Sequence, residues 1–133
     1  MNIKVKNSQL NNETMQSLNT LIELDINASA AFKLTRIIKE LSSIVDDKIK
    51  MEKKILDKWV EKDENGSPIK PKDSAGNIIQ EAVSIINMNQ FQKDMQDLLL
   101  VENSINQEKL NFEDLNLSSA KVKDLIKLDF LFN

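Results

Sequence analysis

"KDENGSPIKPKDSAGNII", residues 62–79, holds both glycines and both prolines of the chain, Gly66, Gly76, Pro68 and Pro71. Whether this stretch is a site or a turn decides how everything on either side of it is read. Asn65-Gly66 is a strong tight-turn signal because both residues tolerate positive φ, and the prolines forbid continued helix. "KDENGSPI" and "KDSAGNII" also form a degenerate tandem, each a charged lead-in, a glycine and an isoleucine. Residues 62–80 are therefore expected to be a tip, a small hairpin or ordered loop between two longer elements.

Upstream lies the clearest periodic segment. From Asn27 to Glu61 no glycine or proline interrupts, and Leu34, Ile37, Ile38, Leu41, Ile44, Val45, Ile49, Ile55, Leu56 and Trp59 recur at helical spacing. A helix over 27–61 would run roughly 50 Å, with its apolar stripe thinning after Ile49. Downstream, Ile85, Met88, Phe91, Met95, Leu98, Leu99 and Ile105 predict a return helix over 83–104. Two long helices joined by a tip loop pack antiparallel, which sets Phe91 near Ile55 and Trp59, and Leu98 near Ile49.

The chain ends carry shorter signals. "NIKVKN" alternates Ile3 and Val5 with lysines, the period of a half-buried strand. Met15, Leu18, Leu21 and Ile22 predict a short helix that Asn11 or Asn12 would cap. In 107–133, Leu110 and Phe112 alternate like a strand, and Ser118 or Ser119 would cap a last short helix carrying Val122, Leu125 and Ile126. The expected fold is α+β and helix-dominant: a long antiparallel helical hairpin with a tip loop, short terminal strands that pair at its base, and a small C-terminal helix. At 133 residues the chain is read as one domain, 1–133.

Composition excludes most catalytic chemistry. There is no histidine and no cysteine, which removes the usual zinc sites, Cys–His nucleophiles, the Ser–His–Asp relay and any disulfide. A calcium loop with Gly66 at its sixth position places Glu61, Asp63 and Asn65 correctly, yet puts Lys72 where the bidentate glutamate belongs. A phosphate cradle would need a Lys-Ser or Lys-Thr pair after the glycines, which neither has. Asp46 and Asp47 are adjacent, so a helix points them about 100° apart, among Lys48, Lys50 and Lys54 on a solvated face. No catalytic residue, cofactor or metal is expected. Net charge is −3, and Arg36 is the one arginine beside seventeen lysines, weak ground for nucleic-acid binding. The longest apolar run is "LLLV", Leu98–Val101, far short of a membrane span, and a cytoplasmic, soluble protein is expected.

The order of these pieces carries a resemblance. "NIKVKNSQL" (2–10), "AFKLTRIIKEL" (31–41), "KKILDKWVEKDENG" (53–66), "FQKDMQDLL" (91–99), "LNFEDLNL" (110–117) and "LIKLDFLF" (125–132) together resemble a family of small proteins of unknown function encoded by bacteriophages and prophages of Gram-positive and related hosts. The resemblance spans nearly the whole chain and rests on order and spacing. Trp59-Val60 departs from the Lys-Tyr-Gly lead-in of relatives. The family has no assigned catalytic residues to carry over.

What it implies is a non-enzymatic viral protein acting through protein–protein contacts, a virion component or assembly factor, found in the host cytoplasm or in the particle. The alternative is an anti-defence inhibitor of a host enzyme. The partner would be another phage protein, a second copy of this chain or a host protein. Because the stripe thins beyond Ile49, Ile55, Trp59, Ile69 and Ile78 are the candidate contact residues, a partly exposed apolar cluster at the tip.

Overall fold

A computed structural model describes residues 2–24, 26–80, 82–111 and 122–132. Helix dominates, with one long helix, a two-stranded antiparallel sheet and a small C-terminal helix. The chain divides into two units, Met1–Lys48 with Leu99–Asn133, and Ile49–Leu98.

In the first unit, strand β1 (Asn2–Lys6) alternates exposed and buried side chains, as its sequence predicts. Its partner is β2 (Glu102–Glu108), with Ile3 opposite Ile105 and Lys6 opposite Glu102, and a bulge between Asn2 and Ile3. Helix α1 (Asn12–Ile22) is capped by Asn11, whose Oδ1 accepts from the Thr14 amide at 2.9 Å. The long helix α2 (Ala28–Trp59) starts the same way, Asn27 Oδ1 accepting from the Ala30 amide at 2.7 Å. Asparagine suits both places because its short amide satisfies amides that the helix cannot.

The core of this unit gathers Ile3 and Val5 from β1, Leu18 and Leu21 from α1, Leu34, Ile37 and Leu41 from α2 and Ile105 from β2. Leu128, Phe130, Leu131 and Phe132 close it. The short helix α4 (Val122–Lys127) is tied to α1 by Ser17 Oγ donating to Asp124 Oδ1 at 2.8 Å and by a Glu13–Lys127 ion pair at 2.9 Å.

The return helix is shorter than 83–104: helix α3 spans Met88–Leu99, opened by Asn87 Oδ1 accepting from the Gln90 amide at 3.1 Å. Residues 102–104 and Ile105 belong to β2 instead. "ENSINQE" is weak as helix, and pairing with β1 places Ile105, 2% exposed, in the core. The strand that pairs with β1 is Glu102–Glu108. Leu110 is buried in the core and makes an isolated parallel bridge to Phe132, while Phe112, Ser118 and Ser119 lie outside the described residues. Ile22 and Ile126, which helical spacing places with apolar neighbours, are exposed. Phe130, Leu131 and Phe132, which no periodic segment includes, are buried as well.

Leu34 is wholly buried in the middle of this core. Leu34→Ala is expected to lower unfolding stability by about 2–5 kcal/mol, with the denaturant slope unchanged in a urea titration.

Candidate functional site

The second unit, Ile49–Leu98, is built largely on backbone and polar bonds. Among its described residues Val60 is the one buried hydrophobic side chain, and α3 buries none.

Its tip resolves the tandem of the opening stretch into two turns of the same construction. In the first, Asp63 Oδ1 accepts from the amides of Asn65 (2.9 Å) and Ser67 (3.0 Å), and the Asp63 carbonyl accepts from Gly66 N–H at 3.0 Å. In the second, ten residues on, Asp73 Oδ1 accepts from Ala75 and Asn77, both at 2.9 Å, and its carbonyl from Gly76 N–H at 3.0 Å. Gly66 and Gly76 have φ of +81° and +86°, the region where an L side chain is disfavoured. Lys62 bridges Pro68 and Lys72 bridges Ile78, one across each turn. The aspartate of "KD" is thus the organising acceptor of each turn, engaged with the amides of its own loop.

Below the first turn three segments meet in a closed ring of backbone bonds. Glu61 N–H donates to Ser84 O, Ser84 N–H to Ile69 O, and Ile69 N–H to Glu61 O, each at 2.8 Å. Val60 forms an antiparallel bridge with Ile85, and Ile86 N–H donates to Trp59 O at 2.8 Å. These bonds end α2 at Trp59 and turn the chain toward α3.

Trp59 is fixed from the side as well. Its indole Nε1–H donates to Asp94 Oδ2 at 2.7 Å, while Gln90 Nε2 donates to Asp94 Oδ1 at 3.0 Å. Lys58 Nζ lies 3.9 Å from Asp94 Oδ2 and 4.9 Å from the Trp59 ring centre. The Trp59 hydrogen bond, then that of Gln90, hold the Asp94 carboxyl below its usual range, against a smaller opposing effect of desolvation.

The four candidate contact residues have different surroundings. Trp59 is half-buried and bonded to α3, with Ile55 half-buried one turn earlier on the same face. Ile69 is a member of the backbone ring, and Ile78 sits on the second turn, 53% exposed. Reading Ile49, Ile55, Leu56 and Trp59 as one stripe missed a division: at 100° per residue Ile49 and Leu56 share a direction roughly 120° from Ile55.

That second face is open, with Ile49 48% and Leu56 39% exposed. It floors two adjoining concavities. One, about 290 Å³, is lined by Ile49, Glu52, Lys53, Leu56, Phe91 and Met95. The other, about 380 Å³, shares Lys53 and Leu56 and adds Lys54, Asp57, Val60, Pro68 and Val83. The seven-residue interval from Ile49 to Leu56, with Lys53 between, is the sequence signal that could have marked this face.

No protein-family model matches the chain, and neither a curated protein nor a solved structure does. Among the described residues no three His, Cys, Asp or Glu side chains are placed to hold a metal ion, and no helix is long and apolar enough to cross a membrane.

Two outcomes are expected of this geometry. The folded Asp94 carboxyl titrates below its ordinary value of 3.8, so its bonds contribute stability in full above that value and lose it as the pH falls through the folded value. The emission of Trp59, the only tryptophan, should therefore shift below pH 3.8, and Asp94→Asn should remove that acid transition. Gly66→Ala meets no atom within 4 Å, so its cost is conformational alone, about 1 kcal/mol. Gly66→Asn should cost less, both read from thermal melts.

Proposed function

We propose that this chain is a bacteriophage-encoded protein without enzymatic activity, which acts through protein–protein contacts as a virion component or an assembly factor. Its second unit works as a contact arm: α2 and α3 run antiparallel as the two sides of a helical hairpin, with residues 62–80 at the tip. The antiparallel Val60–Ile85 bridge and the Trp59–Asp94 bond support the hairpin reading.

The observation that carries the proposal is the open apolar face of α2. Ile49 and Leu56 are 48% and 39% exposed beside concavities further lined by Phe91, Met95 and Val83, although apolar side chains at helical spacing are ordinarily covered. A face of this kind suits a contact with another protein. The absence of histidine and cysteine from the whole chain supports a binding role over nucleophilic or zinc chemistry. The order of segments that resembles small phage proteins supplies the viral setting.

Mass spectrometry of purified particles of the encoding phage tests this. The protein is expected in the virion, or in assembly intermediates, at an abundance comparable with structural proteins. Early expression followed by absence from both would overturn the reading in favour of a host-directed inhibitor.

A further inference from the structure

The groove along α2 carries enough chemistry to define what it binds, on the reading of the chain as a protein-binding component. Its floor is the α2 surface at Ile49 and Leu56, continued past the helix end by Val60; Phe91 and Met95 line the concavity at Ile49, and Pro68 and Val83 line the one at Val60. From Ile49 to Val60 this floor runs roughly 16 Å, three helical turns. The backbone beneath is helical and bonded within itself, so it offers no strand edge to an extended peptide. An apolar channel of that length on a helix instead fits a second helix, whose side chains enter at spacings of three, four and seven residues.

The polar lining narrows the choice. Small-molecule sites fix their ligand with a few enclosed polar groups, whereas here Lys53, Lys54 and Asp57 are all exposed and Glu52 is half-buried. Asp57 is neutralised by Lys62, whose Nζ stands 2.8 Å from its Oδ1. Lys53 and Lys54 have no carboxylate within ion-pair distance among the described residues. From Ile49 to Trp59 four lysines stand against two acidic residues, although the whole chain is net negative. Lysine stems extend an apolar floor while their ammonium groups stay in water, so Lys53 and Lys54 add apolar contact and two uncompensated positive charges at the rim. Nucleic acid is disfavoured by the apolar floor and by a basic set lacking arginine.

We infer that the groove formed by Ile49, Lys53, Lys54, Leu56, Phe91 and Met95 takes an acidic amphipathic helix of a partner protein, apolar face down and carboxylates toward Lys53 and Lys54. The rim charges select among helices, and the apolar floor supplies the affinity.

Two fluorescein-labelled synthetic peptides of about four helical turns test this. Both carry leucine at positions i, i+4 and i+7; one is flanked by glutamate and the other by lysine. Binding to the intact protein is followed by fluorescence anisotropy and by amide chemical shifts. The glutamate peptide should bind about tenfold or more tightly than the lysine peptide, weaken with added salt, and shift amides between Ile49 and Val60.

Lys53→Glu with Lys54→Glu should reverse that preference, and these exposed positions leave the melting temperature essentially unchanged. Leu56→Asp should abolish binding of both peptides. Equal binding of the two peptides, or no shifts in this segment, would overturn the inference. So would perturbation of the same amides by self-association or by an oligonucleotide in place of the peptide. Presence in the virion with no peptide preference would remove this inference and keep the phage reading. Peptide preference with absence from particles and assembly intermediates would do the reverse.

Discussion

A helix buries an apolar stripe only where other elements bring surface to cover it, and α2 is covered unevenly. Between Ala30 and Leu41 the stripe meets β1, α1, β2 and the C-terminal aromatic segment, and Leu34, Ile37 and Leu41 are completely excluded from water. Each such side chain contributes roughly 1.5–3 kcal/mol relative to exposure, enough for the first unit to be organised by hydrophobic burial. Beyond Lys48 the apolar side chains of α2 are spread over two directions, and Ile49 and Leu56 remain open.

The second unit holds its order by other means. Its tip is two repeats of one turn, each centred on an aspartate that answers two amides with its side chain and a third with its carbonyl. Glu61, Ile69 and Ser84 close a ring in which each donates to the next. Such networks fix geometry more than they add stability, since a hydrogen bond contributes only about 1 kcal/mol net of lost water contacts. A segment shaped by backbone bonds need not spend its apolar side chains on its own core, and Ile49 and Leu56 are left open.

Trp59 shows how little a residue type reveals about its task. A single tryptophan near the end of a thinning stripe invites the role of contact anchor. Its indole N–H is bound by Asp94, and Lys58 stands over its ring, so the half-buried side chain also links α2 to α3. The open apolar residues beside it, Ile49 and Leu56, are ordinary aliphatic side chains that composition alone would not single out.

Local chemistry was legible in the chain: the alternation of Ile3 and Val5, the uninterrupted helical period after Asn27, the Asn11 cap and the breaks at Gly66 and Gly76 are each properties of a few consecutive residues. The sequence by itself therefore determined a helix-dominant fold with a turn-forming tip and without histidine or cysteine chemistry. Tertiary structure decided the rest. "ENSINQE" is a strand because β1 lies beside it, the terminal aromatics are core because α1, α2 and the sheet leave a space for them, and Ile49 and Leu56 are open because Phe91 and Met95 of α3, the side chains brought beside them, leave a concavity there. In each case the deciding neighbour is remote in sequence, and helical or strand periodicity records which residues share a face without recording what that face will meet.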